Sequence, residues 1–349
     1  MNQQLLQILR CPVTHEPLEL QVIQHGKKVY NGIEQEIILE GILRSTDFIY
    51  PIIKGIPRLI VEASIDYKDF LQKNVKDFHA IEQNIGTKYK GLLDFVLKKN
   101  KRTKKSFSQE WGLFNYEEDK VWDADTAGML NRFLMENDET KESLRGKIIL
   151  DAGCGNGLLN QSIAACGATV IGMDFSESIV RAFEQNKEQN AWFIQADVQF
   201  PPIQFSLCDI VHSSGVLICT TNSELTFSCL EPCIKQGGKM SVWLYHPVKG
   251  FIHNTFNFLR EYTSKLPIKF QYYLYSCTLL PISYLVKRAK GNKQNKREMM
   301  IDILDWFSPE FRWEHTHDEA AAWYAKRNYD KVKVTTNELF GFNIIGYKK

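Results

Sequence analysis

Short apolar runs bounded by polar residues recur through the second half of the chain, at 147–151, 168–173, 191–195 and 207–213. They are rich in Ile, Val and aromatic residues and too short for helices, which is the pattern of buried strands. Each runs into a carboxylate or a small hydroxyl residue, so the pattern predicts an α/β sheet whose four strand ends converge on one pocket. The first sixty residues read differently. Leu5, Leu6 and Leu9 precede strand-like runs at 18–23, 28–31 and 36–43, then Tyr50-Pro-Ile-Ile-Lys-Gly-Ile-Pro57. This predicts a small β unit with Leu5, Leu6, Leu9, Ile52 and Ile56 as its core. Residues 63–145 read as helices joined by polar breaks. In 249–300, Phe251–Leu259 and Phe270–Leu280 are apolar and aromatic at helical spacing, followed by a basic, polar stretch at 287–297. The expected division is therefore 1–62, 63–145 and 146–349, the last interrupted by an insertion at 249–300.

Chemistry enters at the end of the first of these strands, where Asp151-x-Gly153-x-Gly155-x-Gly157 follows Ile148-Ile-Leu. Closely spaced glycines let the backbone turn sharply and approach a ligand without Cβ atoms in the way, which marks a nucleotide-type cofactor site. A dinucleotide fingerprint would need a small residue at Leu158, and it binds a pyrophosphate. Asp151 repels phosphate and suits a ligand that carries an amino group, such as S-adenosylmethionine. Asp174, about 20 residues beyond the glycines, stands where a ribose diol is gripped, with Phe175 and Ser176 beside it. Asp197 is placed to accept from an adenine amino group while Phe175 and Val198 pack on the ring. Ser213, Ser214 and Gly215 are small residues beside the reacting carbon.

From about 107 to 349 the chain resembles the class I S-adenosylmethionine-dependent methyltransferases, of the group that includes ubiquinone and menaquinone biosynthesis enzymes. The resemblance rests on Leu150-Asp-Ala-Gly-Cys-Gly-Asn-Gly157, Val170-Ile-Gly-Met-Asp-Phe-Ser176, Ile194-Gln-Ala-Asp197, Asp209-Ile-Val-His-Ser-Ser-Gly-Val-Leu217 and Gly237-Gly-Lys-Met-Ser-Val-Trp243, in order. It implies a Rossmann-like seven-stranded sheet, mostly parallel, whose last two strands form a hairpin at 331–336 and 342–347. The chain departs from that group on the acceptor side, where its usual His-His is Ile218-Cys219. Phe107-Ser-Gln-Glu-Trp111 resembles the segment that closes over the cofactor in many members, with Trp111 either a cofactor contact or a plain hydrophobic anchor. Residues 4–61 resemble a small zinc-ribbon-like domain that activates or precedes some methyltransferases. Cys11 is its lone cysteine, with His15 and His25 nearby, so a degenerate, metal-free ribbon is expected.

Composition narrows the partners. A net charge of +2 over 349 residues does not by itself point to nucleic acid. Eight cysteines without framework spacing read as reduced thiols, and Met1–Arg10 lacks the order of a signal peptide, so the expected location is cytoplasmic. Phe270–Val286 contains Pro281 and Gln271 and falls short of a membrane span. Lys98–Lys105 reads as a solvated basic loop or a phosphate contact. His246, in Trp243-Leu-Tyr-His-Pro247, is the candidate general base, or else a structural histidine beside a proline turn; His212 reads as a buried hydrogen-bonded residue. No metal site is expected at His315 and His317. The reading is methyl transfer from S-adenosylmethionine to an oxygen or carbon of a small, apolar or ring-bearing acceptor. The insertion at 249–300 is read as a lid whose basic tail meets a phosphate or an anionic membrane surface, or else as a helical pair completing the core or a dimer interface. RNA methylation and a non-catalytic cofactor-binding partner are the alternatives.

Overall fold

The computed structural model describes residues 1–100, 126–248, 250–289 and 291–349. Helix α1 (Gln3–Ile8) starts at Asn2, whose side chain accepts from the Gln4 N–H and so satisfies one free helix donor. An antiparallel sheet follows, ordered β1 (Glu19–Tyr30), β2 (Ile33–Arg44), β3 (Ile49–Ile53) and β4 (Ile56–Pro57). Asn31 and Gly32, both at positive φ, form the two-residue turn that matches strand twist between β1 and β2. Gly26 breaks the apolar pattern but not the strand: β1 runs through it, and its pairing shifts register between Val22 and His25. Four helices come next, α2 (Ala63–Asp66), α3 (Lys68–Asn74), α4 (Phe78–Lys88) and α5 (90–100).

After α6 (Thr126–Asn137) the chain builds β5 (Ile148–Ala152), α7 (Leu158–Ala165), β6 (Thr169–Asp174), α8 (Ser178–Gln185), β7 (Ala191–Gln195), β8 (Cys208–Ser214), α9 (Ser223–Leu230) and β9 (Ile234–Tyr245). Then come α10 (Phe251–Thr263), α11 (Ile268–Cys277), α12 (Leu279–Ala289), α13 (Lys296–Phe307), α14 (His317–Ala325), β10 (Tyr329–Asn337) and β11 (Gly341–Lys348). The seven-stranded sheet is ordered β10-β11-β9-β8-β5-β6-β7. The five strands from β9 to β7 are parallel, and β11 runs antiparallel to both β9 and β10, as the expected terminal hairpin requires. Strand order reverses between β5 and β8, and a crevice opens beyond the C-terminal ends of the strands at such a point.

The N-terminal sheet covers the β7 edge of this larger sheet. Leu59 N–H donates to the Gln195 carbonyl at 2.8 Å, Arg10 N–H donates to that of Pro202 at 2.9 Å, and buried Arg58 reaches the Gln195 side chain. Backbone groups that an edge strand would leave open are thereby paired. Leu9, Leu43, Tyr50 and Ile52 share one apolar core with Ile171, Met173, Ile194 and Ile203. Cys11 is buried in that core, its Sγ 3.2 Å from the Tyr50 hydroxyl and accepting from the Thr14 N–H. Among the described residues, no cluster of three or more His, Cys, Asp or Glu side chains is arranged to hold a metal ion. The helices after β9 have a smaller core of their own, built on Ile268, Tyr275, Met300, Leu304 and Phe307.

Candidate active site

The glycine loop leaves β5 with Gly153, Gly155 and Gly157 at φ of +92°, +54° and +72°. It is pinned to the end of β6: Gly153 N–H and Cys154 N–H both donate to the Met173 carbonyl, and Gly155 N–H donates to Asp174 Oδ2 at 3.0 Å. A Cβ on Gly153 would lie 2.2 Å from Val216 Cγ2, so the loop presses on the segment after β8. A Cβ on Gly157 would meet the Phe193 ring at 2.6 Å and Ala182 at 2.8 Å. Gly157 therefore serves close packing of loop against sheet, and it lines neither of the two cavities that Gly153 and Gly155 border.

Two cavities meet over this loop. The smaller, about 170 Å³, has Asp174, Phe175, Asp197 and Val198 in its wall. The larger, about 580 Å³, has Asp151, His212, Trp243, Tyr245 and Phe340 in its wall. Gly153, Gly155, Ser214, Gly215, Cys219 and Asp305 border both. Ser176 lies one layer behind: its N–H and Oγ donate to Asp174 Oδ1 at 2.8 and 2.7 Å and fix the carboxylate. Ser213 is turned away, its hydroxyl donating to the Ala152 carbonyl, while the alternate residues His212 and Ser214 face the larger cavity. The two-residue period of a strand accounts for this: it puts 212 and 214 on one side and 213 on the other.

Burial pushes the Asp151 carboxyl up to about 7, with the nearby Asp174 and Glu136 carboxylates adding to the rise. Burial also raises Asp174, against the hydrogen bonds from Ser176 and Gly155 that favour its charged form. Asp197 is matched by a cation from far upstream. Lys99 Nζ lies 2.5 Å from Asp197 Oδ2, Asn100 Nδ2 donates to the same oxygen at 3.2 Å, and Gln199 N–H donates to Oδ1. The Lys99 and Asp197 side chains are 8 % and 7 % exposed, so within the basic run 98–105 Lys99 is on a helix and desolvated, while Lys98 beside it is exposed. Its side chain, carried on α5, forms a wall of the smaller cavity.

On the larger cavity, Glu136 from α6 accepts from Arg132 Nε at 2.7 Å and faces His212 Nε2 at 3.7 Å. Burial, then the Arg132 charge, hold His212 down at about 3, so it is neutral at pH 7 and makes no ion pair with Glu136. Desolvation raises Glu136 despite Arg132. Asn137 Nδ2 lies 3.3 Å from His212 Nδ1, which leaves the imidazole proton on Nε2. Trp243 Nε1 is buried in the cavity wall and makes no hydrogen bond among the described residues. His246 borders neither cavity, and its Nε2 lies 2.9 Å from the Glu338 carbonyl as a donor. Trp111 lies outside the described residues.

Residues 150–242 match the family described as Methyltransferase domain. The chain carries a methyltransferase domain over these residues. A ubiquinone biosynthesis O-methyltransferase of Coxiella burnetii is 30 % identical over 115 residues, covering 32 % of this chain and 49 % of that protein. A tRNA U34 carboxymethyltransferase of Pseudomonas aeruginosa is 32 % identical over 102 residues, covering 28 % of this chain and 32 % of that protein. The chain thus spans half or less of the curated relatives it matches. A putative S-adenosylmethionine-dependent methyltransferase from Listeria monocytogenes aligns at 14 % identity and a TM-score of 0.41, over 64 % of this chain and 99 % of that one.

Within the methyltransferase domain, the glycine loop, Asp151 and the β6 and β7 ends are brought together around the cavities. Lys99, Asn100, Arg132 and Glu136 join them from helices that no motif marks.

Proposed function

We propose that this protein transfers the methyl group of S-adenosylmethionine to an oxygen or carbon of a small, apolar or ring-bearing acceptor. The observation that carries the reading is the larger cavity. It is walled by Phe133, Trp243, Tyr245 and Phe340 and opens onto the glycine loop through the residues it shares with the smaller one. Ligand sites are concave and mostly apolar with a few placed polar groups, and this one fits that description. The name of the Coxiella burnetii relative supports the same acceptor class.

The residues of the smaller cavity fit the cofactor. Gly153 leaves no room for a side chain where a ligand must approach, Phe175 and Val198 offer apolar surface for a ring, and the Asp174 carboxylate stands at the cavity wall, half-buried and fixed by hydrogen bonds from Gly155 and Ser176. Asp174 would accept from the ribose hydroxyls, and Ser176 positions Asp174 for this. Asp151 would face the amino group. Asp197, with Lys99 and Asn100 on its other oxygen face, would border the adenine.

S-adenosylmethionine, when bound, supplies an electrophilic methyl group on a sulfonium. The chain's own contribution is to hold the acceptor in line and exclude water, which can supply most of the rate in such a displacement. Trp243 Nε1 is a free donor for an acceptor oxygen. For a hydroxyl acceptor, Glu136 takes the proton, because burial raises its basicity above that of an ordinary carboxylate while His212 is held down as a weaker base. His246 borders neither cavity, so the proton-transfer role is given to Glu136 rather than to it. The described residues of 249–300 border neither cavity; Asp305, just beyond them on α13, borders both, Phe311 borders the smaller one, and α11 and α12 pack against α13.

The Pseudomonas aeruginosa relative raises a second reading, methyl transfer to RNA. Methyl-labelled S-adenosylmethionine, offered separately with a total lipid and small-molecule extract and with total RNA, separates the two. Label in the organic-soluble fraction, lost in Asp174→Ala, is expected. Label in RNA alone would overturn the proposal.

A further inference from the structure

The insertion helices, whose described residues border neither cavity, carry an apolar surface that is exposed among the described residues. None of the described residues of α12 is buried, although Ile282, Leu285 and Val286 line up at i, i+3 and i+4 on one face. Leu285 is 70 % exposed. On α10, Phe258 and Tyr262 stand one turn apart with ring centroids 5.0 Å from each other, Phe258 60 % exposed. Helix α11 is two-sided. It packs Ile268 and Tyr275 onto the core it shares with α13 and turns Phe270 and Tyr273 outward, Tyr273 70 % exposed. Large aromatic and aliphatic side chains exposed in a group on adjoining helices mark an interaction site, since isolated exposed residues are ordinary but clusters are not.

The charges around this surface indicate what it meets. Residues 250–300 hold nine Lys and Arg against two Glu, in a chain whose net charge is only +2. The basic residues are interleaved with the apolar ones along the chain: Lys265 and Lys269 lie between Tyr262 at the end of α10 and Phe270 on α11, and Arg288 is in the last turn of α12, three residues after Leu285. Lys265 Nζ lies over the Tyr262 ring at 5.6 Å and Arg288 over Tyr284 at 5.2 Å, so their stems lie along the apolar surface with the charges at its rim. A two-fold contact between copies would bring these like charges face to face around its core, which protein interfaces avoid. An anionic lipid surface answers both features, with headgroups for the cations and acyl chains for the rings. Helices of 13, 10 and 11 residues are too short to cross a hydrocarbon core of about 30 Å, and no helix among the described residues is long and apolar enough to do so. They can lie flat in the interface.

We propose that α10, α11 and α12 form a monotopic docking face for an anionic lipid bilayer. The proposal does not depend on which acceptor is methylated. The test is flotation of the full chain with vesicles of phosphatidylcholine mixed with phosphatidylglycerol, and with phosphatidylcholine alone, at low and high salt. The mixed vesicles should carry the protein at low salt, with at least tenfold less bound on the neutral vesicles. Phe258→Ser/Leu285→Ser/Val286→Ser should lower binding at least tenfold while affinity for S-adenosylhomocysteine stays within about twofold. Lys265→Glu/Lys269→Glu, which touches only exposed side chains, should do the same and guards against misfolding of the triple variant. Failure of the native chain to float with mixed vesicles would overturn the proposal, as would equal flotation of the charge-reversal variant. So would a dimer in sedimentation that the triple variant converts to monomer with no vesicle binding by either.

Discussion

Replacing Asp174 by Ala separates a cofactor residue from a merely structural one. In the free protein its carboxylate accepts from Gly155 N–H, Ser176 N–H and Ser176 Oγ, and burial raises its pKa. Loss of those three bonds is partly offset by removing a buried charge, so fold stability should change by no more than about 2 kcal/mol. Cofactor binding should suffer more, because two charge-assisted bonds from ribose hydroxyls vanish, at a total of about 2 to 5 kcal/mol. At 1.4 kcal/mol per tenfold, that weakens binding by a factor between about 30 and about 4,000. Titration calorimetry with S-adenosylhomocysteine, with circular dichroism to confirm folding, reads both quantities. Unchanged affinity in a folded Asp174→Ala protein would refute the role given to this carboxylate. Asp174→Asn keeps the shape and one acceptor, and should fall between the two.

Asp151 predicts a pH dependence. Its folded pKa of about 7 is raised above the unfolded value, so its contribution is fully present below pH 4 and is lost as pH rises through about 7, by roughly 4 kcal/mol if the full shift is realised. Asp151→Asn should therefore raise the melting temperature at pH 8 and flatten the profile between pH 4 and 7 in cofactor-free protein; the same slope in both proteins would contradict this. Gly157→Ala forces a Cβ at φ +72° into the Phe193 ring and should destabilise by about 2 to 5 kcal/mol in urea unfolding; a change under about 1 kcal/mol would show that the loop relaxes. Lys99→Met strands the buried Asp197 carboxylate and should cost about 3 to 5 kcal/mol, with faster amide exchange in 90–100; unaltered exchange there would deny that this pair anchors α5. Purified protein should contain no stoichiometric zinc, because the Cys11 thiol is engaged by Tyr50; zinc lost on Cys11→Ser would contradict it.

What the sequence made legible is what local physics dictates. Apolar runs of strand length and glycines at a strand end are signals within ten residues of each other, and they located β5 to β8 and the loop where they stand. The outward shift from Ser213 to Ser214 was also accessible, since the two-residue period separates them once His212 is given a side. Lys99 was not accessible: its partner Asp197 is 98 residues away, and a lysine within a basic run carries no mark of burial. The same holds for Glu136 and His212, which only tertiary packing brings together. The runs at 18–23 and 28–31 read as separate strands, yet pairing with β2 carries one strand through both, with a bulge between Val22 and His25. His246 sat correctly at the end of a strand, but sequence position does not say which way an imidazole turns, and the Glu338 carbonyl decided that.

The most direct test of a cofactor site beside an acceptor cavity is a crystal structure of the full chain with S-adenosylhomocysteine. The account predicts the ribose hydroxyls on Asp174, the adenine between Phe175 and Val198, and the sulfur directed past Gly215 toward the cavity walled by Trp243 and Tyr245. A ribose held elsewhere, or a sulfur facing away from that cavity, would contradict it.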